Sequence, residues 1–371
     1  MESKLDITPH IKSDKKIMVF GCPVDCDEKY DSIQEKHHYL KTGDGFDDPL
    51  NGVMAHLEAD PVMAELPEGC WKNLGSLPVP EWLGPVPPAE ARSQVTSENF
   101  ISFIDSDGCR DLAGKAEAYV TDSILPNLPL MIGIDHSLTG GLFSAVSEFY
   151  GKENVSLIII DSHTDAVPMA ALAGAVQYDA ETNPDSVHDP DDPFLYNRPD
   201  SYNASSFVDC MLKDQVVDPK NLYILGVSYF PEKKALKSKD SSIKRYNNAY
   251  LGLRRKGAKI ITKKECKLSP QKIKGLLKKI ATPYVYLSVD MDIGANNALD
   301  GVRFRNWTGL NEKAIYKMAD MIRQSLDQST QLAGMDICEI DPRRAGMFLS
   351  SGKDKTYEIA ANLVKKILFN R

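Results

Sequence analysis

Hydrophobic and polar positions fall into alternating blocks along this chain, most regularly from residue 128 onward. Short runs of largely apolar residues predict buried strands at "LPLMIGID" (128–135), "VSLIIID" (155–161), "NLYILGV" (221–227), "AKIIT" (258–262), "YVYLSVD" (284–290) and "LAGMDICEI" (332–340). Longer segments between them carry helical spacing. They are 140–151 closed by Gly151, 205–215, 242–257 ending at Gly257, 269–280, 311–326 and 354–368. Ser269 and Pro270 predict an N-cap and a first helical position. Upstream, "KKIMVFGCPVD" (15–25) predicts one more buried strand and 111–125 a helix. Strands alternating with helices predict an α/β fold of three layers, α/β/α, around a mainly parallel central sheet.

The segment from 26 to about 60 is polar, and "TGDGFDDP" reads as a loop. Residues 78–91, "PVPEWLGPVPPAEA", are rich in proline. No second self-contained pattern follows, so they are expected to strap the surface of one domain rather than link two. There is no internal repeat and no low-complexity tract.

The polar residues that close the strands carry the chemistry. Asp135 and His136 follow "LMIGI"; Asp161, His163 and Asp165 follow "LIII"; Asp290 and Asp292 close "YLSV"; Glu339 and Asp341 follow "MDIC". One such ending is ordinary, because Asp is a common turn residue. Four together are different, since sites in open α/β sheets form at the carboxyl ends of strands. Carboxylates crowded there repel one another strongly in a low dielectric. Cations relieve this, and the strand ends supply no lysine. Residues two apart on an extended segment point the same way. Asp161, His163 and Asp165 can therefore aim at one region, and Asp290 with Asp292 likewise. So mixed a set is too rich for one zinc and suits two divalent ions of intermediate hardness, such as manganese. Such a pair can share and activate a water.

Bulk properties narrow the class. The 371 residues carry a formal net charge of −8 with a sequence pI of about 5.5. An acidic chain disfavours nucleic acid as the main partner and mildly favours cationic small molecules. Seven scattered cysteines read as reduced thiols. The polar N-terminus shows no signal-peptide core, and no run approaches a membrane span, so a cytoplasmic location with no membrane partner is expected.

Four short motifs, in chain order, resemble those of the ureohydrolases, the arginase and agmatinase family. They are Gly133-Ile134-Asp135-His136-Ser137, Asp161-Ser162-His163-Thr164-Asp165, Ser288-Val289-Asp290-Met291-Asp292 and Glu339-Ile340-Asp341-Pro342. The resemblance is clear over 128–371 and faint over 15–127, and it implies a single arginase-like catalytic domain spanning 1–371. It implies two manganese ions per chain, one on His136, Asp161, Asp165 and Asp290, the other on Asp161, His163, Asp290 and Asp292. Glu339 would pair with a substrate guanidinium, the alternative being a salt bridge to Arg343 or Arg344 nearby in sequence. Metal-bound hydroxide would attack the guanidinium carbon, and the tetrahedral intermediate would collapse to urea and an amine. A histidine in the loop after the second motif tends to shuttle a proton in this family, and His188, in that place, reads either as that shuttle or as an exposed loop histidine beside acids. A homo-oligomer, trimer or hexamer, is also implied.

The segment after Asp165, "AVPMAALAGAV", read here as a loop, lacks polar groups for an α-amino acid, because Val167 and Pro168 offer no side-chain hydrogen bonds. The family's Asp-Pro after its third motif is replaced by "IGANNALDGVRFRNW". The acidic insert "DAETNPDSVHDPDDPF" favours cations. The expectation is therefore an agmatinase-like amidinohydrolase acting on a small guanidino substrate, rather than a true arginase. Arg303 and Arg305 read either as solvated surface residues or as receivers of a carboxylate. The alternatives are a non-catalytic metal-binding relative, or a metal-dependent deacetylase on the related fold. The only His-His pair that could serve the deacetylase, His37-His38, lies far from the motifs in sequence.

Overall fold

The apolar runs pair side by side into one parallel sheet, because each is apolar on both faces and needs cover on both. The computed structural model describes residue 11 and residues 14–39, 46–186, 188–190, 195–228, 230–231, 233, 235–294, 299–305, 309–326, 330–350 and 352–369. His10, loop residues 42–45, residues 187 and 191–194 of the acidic insert, and 295–298 and 306–308 after the third motif lie outside the described residues.

The strands are β1 (Ile17–Cys22), β2 (Trp71–Ser76), β3 (Leu128–Gly133), β4 (Val155–Ile160), β5 (Leu222–Val227), β6 (Lys259–Thr262), β7 (Tyr284–Asp290) and β8 (Gln331–Cys338). They lie in the order β2-β1-β3-β8-β7-β4-β5-β6, and every pairing is parallel. The helices are α1 (Tyr30–His38), α2 (Pro49–Glu58), α3 (Ser97–Asp105), α4 (Gly108–Tyr119), α5 (Leu138–Tyr150), α6 (Met169–Thr182), α7 (Phe207–Lys213), α8 (Ser241–Lys256), α9 (Lys263–Leu268), α10 (Pro270–Leu277), α11 (Glu312–Arg323) and α12 (Thr356–Leu368). Successive residues of a strand feed opposite layers. Ile158 and Ile160 join the core under α2, α10, α11 and α12, while Leu157 and Ile159 join the core under α4, α5, α7 and α8. Burying each such side chain stabilises the fold by about 1.5–3 kcal/mol. Among the described residues no helix is long and apolar enough to cross a membrane.

The topology places the site. From β3 the chain passes to β4 across a gap of two strands, which β8 and β7 later fill. The four strands whose ends carry the acidic motifs, β3, β8, β7 and β4, are thus consecutive neighbours at the centre of the sheet.

Helices α1, α2, α3 and α9 add to the sequence reading, and three further points differ from it. β2, "WKNLGS", is a largely exposed strand paired only with β1, so it lacks the apolar run that marks the other strands. The segment after Asp165 is mostly helix, α6, not loop; its alanines form helix readily while giving little periodic contrast. Ser269 sits at the N-cap of α10 with Pro270 following, but its side chain makes no capping bond. The 78–91 segment is anchored where Leu83, fully buried, accepts through its carbonyl from the Asp25 N–H at 2.8 Å.

Helix α5 starts just after His136 and packs closely on α4. A Cβ added at Gly141 would stand 2.0 Å from the carbonyl oxygen of Ala113. Gly141→Ala is expected to lower stability by about 1–3 kcal/mol through forced separation of these helices. Chemical denaturation reads this as a lower midpoint, and an unchanged midpoint would contradict the packing.

Candidate metal centre

Each acidic residue is delivered by a strand end that keeps its ladder for one more bond. The Asp135 N–H donates to Val24 O, the Asp161 N–H to Leu225 O and the Glu339 N–H to Ile134 O. The chain then turns sharply. Asp165 and Glu339 take positive φ values of 48° and 65°, which non-glycine residues adopt at a cost. Gly226 packs beneath Asp161, where a Cβ would lie 2.9 Å from the Asp161 carbonyl oxygen and 2.1 Å from Ile293 Cδ1.

Two groups of metal-ligand type result. His136, Asp161, Asp165 and Asp290 converge, all buried, and Asp161, His163 and Asp292 converge beside them. Nδ1 of His136 lies 2.7 Å from Asp165 Oδ2, 3.3 Å from Asp290 Oδ2 and 3.7 Å from Asp161 Oδ2. Nδ1 of His163 lies 2.8 Å from Asp292 Oδ2 and 3.6 Å from Asp161 Oδ1. Asp161 is therefore shared, one oxygen toward each imidazole. The first group contains every residue of the first expected ligand set. The second contains three of its expected four, since Asp290 gathers only with the first.

A relay behind the first group defines its chemistry. Ser288 Oγ donates to Asp336 Oδ1 at 2.6 Å, and Tyr286 donates from its hydroxyl to Asp336 Oδ2 at 2.7 Å. With its proton committed, Ser288 accepts from Nε2–H of His136 at 2.8 Å. Nδ1 of a neutral His136 then turns a lone pair toward carboxylates. A lone pair facing an anionic oxygen at 2.7 Å requires a proton or a cation between them. Asp161 Oδ2 is also buried without a hydrogen-bond partner among the described residues. Four carboxylates with two imidazoles therefore fit two divalent cations, which would cancel the four negative charges.

The electrostatics say the same. Burial, then the charge of Asp161, pushes Asp165 up to about 7. Burial, then Asp292 and Asp161, raises Asp290 well above the usual carboxylate range. Burial works to lower both imidazoles, but Asp165 and Asp290 raise His136, and Asp292 and Asp161 raise His163. Burial also opposes ionisation of Asp161, yet the two imidazoles hold it below its ordinary value. The site is open at His163, whose side chain is 38% exposed against 1% for His136. The Phe304 ring stands 6.4 Å from the His163 ring, with the Lys29 ammonium 3.8 Å above Phe304.

Glu339 lies beside the cluster, buried, with Oε1 accepting the His136 backbone N–H at 3.4 Å. Burial pushes its carboxyl up to about 8, against the opposing charge of Arg303. Arg303 is not a solvated surface residue: its side chain is 3% exposed, and Nη1 lies 3.5 Å from Glu339 Oε1 and 3.0 Å from Asp135 Oδ2. Arg343 and Arg344 turn instead to Asp25, Asp341 and Glu35. His188 is exposed, its backbone N–H on Ser186 Oγ at 3.2 Å. Asp336 and the buried role of Arg303 were missed from sequence; a lone Asp inside the apolar run "LAGMDIC" was the available signal for the first.

A pH test follows from Asp165. Burial pushes the folded carboxyl from 3.8 up to about 7, so its contribution to stability is complete below about pH 4 and is lost progressively as pH rises to about 7. Metal-free protein should melt at progressively lower temperature between about pH 4 and 7, and saturating divalent metal should remove the decline. A metal-free melting temperature that rises over this range would contradict the arrangement.

The model of the arginase family matches residues 90–369, which reaches upstream of the motif-bearing part. No curated protein matches the chain. Among solved structures, formimidoylglutamase from Bacillus subtilis subsp. subtilis str. 168 superposes with a TM-score of 0.57 at 15% identity, covering 96% of this chain and 87% of that one. Arginase from Bacillus caldovelox gives a TM-score of 0.56 at 18% identity, covering 95% and 98%. Agmatine ureohydrolase of Thermoplasma volcanium gives 0.51 at 16% identity, covering 99% and 94%. These likenesses show a shared three-layer fold, and the family match over most of the chain, with the His/Asp cluster at the sheet centre, shows that the chain belongs to the arginase family.

Proposed function

We propose that the protein is a dinuclear-manganese amidinohydrolase that cleaves a small guanidino compound to urea and an amine, agmatinase-like rather than a true arginase. The observation that carries this reading is Asp161, fully buried and shared between two convergent groups of His and Asp ligands. His136, Asp161, Asp165 and Asp290 would hold one ion, and Asp161, His163 and Asp292, with Asp290, the other. Two such ions would supply Lewis acidity and a source of hydroxide at neutral pH.

The chain's own residues do the rest. Glu339 offers Oε2, which has no hydrogen-bond partner among the described residues, to the cationic head of the substrate, whose charge would favour the ionised carboxylate that burial opposes. The Ser288–Asp336 relay holds the His136 ring in its ligating tautomer. Val167, buried just before α6, and Pro168 offer no side-chain hydrogen bonds to an α-amino acid, which favours a decarboxylated substrate. His188 is proposed to return a proton to the leaving amine. The support is chemical: His136 and His163 belong to the cluster, while His37 and His38 are bonded to the carbonyls of Val95 and Gln34. We further propose that the whole chain works as one cytoplasmic catalytic unit within a homo-oligomer, a trimer or hexamer.

One observation favours a second reading, a non-catalytic metal-binding relative: Arg303 already places a guanidinium against Glu339. The two readings separate on urea release from agmatine, arginine and other guanidino compounds after manganese loading. In the catalytic reading Glu339→Gln keeps its metal content and fold but loses about a hundredfold or more of urea production, because a neutral amide cannot pair with the cation. Full activity in that variant, or no urea from any compound with wild-type protein, would end the amidinohydrolase reading.

A further inference from the structure

Glu339 and Arg303 are locked together by backbone as well as charge. The Arg303 N–H donates to the Glu339 carbonyl at 3.1 Å, and Val302 forms a β-bridge with Ile340. The Arg303 guanidinium is then held on several sides. Nη1 donates to Asp135 Oδ2 at 3.0 Å and to Glu339 Oε1 at 3.5 Å, Nη2 donates to the Cys26 carbonyl at 3.3 Å, and Nε lies 3.5 Å from Asp25 Oδ1. Asp25 is itself fully buried and paired with Lys36 at 3.1 Å and Arg343 at 3.2 Å. Withdrawing Arg303 would strand Asp135 and Glu339 in a buried setting, which is costly. Arg303 is therefore a fixed part of the site rather than a movable plug.

This has a consequence for recognition. A guanidinium gains most from a carboxylate when two parallel N–H groups meet two oxygens. Here Oε1 already accepts from Arg303 and from the His136 backbone N–H. Only Oε2, buried and without a hydrogen-bond partner among the described residues, is left. With one oxygen, the planar fork loses its geometric advantage, and any cation presenting a single N–H is received about as well. An ammonium, an amidinium and a guanidinium become near-equivalent heads.

We propose that Arg303 is a specificity-determining residue of this site: it occupies one oxygen of Glu339, so the cationic head of the substrate is held one-pronged through the other. The proposal rests on the reading that Glu339 faces the substrate cation. It implies that discrimination between guanidino compounds and simple amines comes from the reaction or from contacts along the rest of the substrate, not from the grip of Glu339.

The test is calorimetric binding of guanidinium, acetamidinium and methylammonium chlorides to manganese-loaded protein, which needs no turnover. Wild type should bind the three within about threefold of one another, as expected for a single shared hydrogen-bond acceptor. In Arg303→Lys the point charge can serve Asp135 and Asp25 and release Oε1, so guanidinium should gain about tenfold over methylammonium. A tenfold guanidinium preference already present in wild type would overturn the proposal, as would an unchanged ratio in a folded Arg303→Lys. If that variant fails to fold, the wild-type ratio alone decides. Unchanged binding of all three ions to Glu339→Gln would also overturn it. Failure of the wild type to release urea, with the ratios as expected, would remove the amidinohydrolase reading and leave the role of Arg303 supported.

Discussion

Mutual repulsion among buried carboxylates is the constraint on which the rest of this structure depends. Asp161, Asp165, Asp290 and Asp292 lie within a single cluster, all nearly inaccessible to solvent. Such a group cannot remain fully ionised without compensating charge. In the metal-free protein the compensation is protons: Asp165 and Asp290 are raised, and both imidazoles are raised beside them. Two divalent cations supply the same compensation without protonating the ligands. The Ser288–Asp336 relay shows how far the sequence is committed to this, since it spends buried hydroxyls and a buried carboxylate to orient one ring.

The sheet makes the crowding possible. Parallel strands present all their carboxyl ends on one edge, and the late insertion of β7 and β8 between β3 and β4 brings four acidic ends into adjacent positions. Neighbouring strands lie about 4.8 Å apart. Residues far apart in sequence, such as His136 and Ser288, therefore meet at hydrogen-bond distance. Around this edge a second network, Asp25 with Lys36, Arg303 and Arg343, joins the N-terminal part to the C-terminal part through buried ion pairs.

Most of the frame was legible from sequence because its strands carry their own signal. "LIII" and "YLSV" are buried on both faces and end in the residues that matter, so strand and site were read together. What was illegible lacked that contrast. β2 exposes four of its six residues and rests on one neighbour, so its pattern resembles a loop. Helix α6 is rich in alanine and only weakly two-faced. Asp336 stood in plain view within an apolar strand, but its partners, Ser288 and Tyr286, are brought to it only by the pairing of β7 with β8. For Arg303 the sequence left open a solvated side chain or a receiver of a carboxylate; its burial among three carboxylates on three different segments is encoded by no local pattern. The role of Glu339 came from family resemblance, whereas its one-sided environment emerged only from the packing.

The fold, the buried cluster and the proposed chemistry converge on one claim, that this sheet edge would hold two divalent cations, with Asp161 common to both groups of ligand residues. The direct measurement is manganese titration of chelator-treated protein by calorimetry, with bound metal counted by elemental analysis after desalting. The account predicts two ions per chain, with proton release on binding and saturation at one ion in neither phase of the titration alone. A clean end point at one ion per chain, or no metal retained, would contradict it.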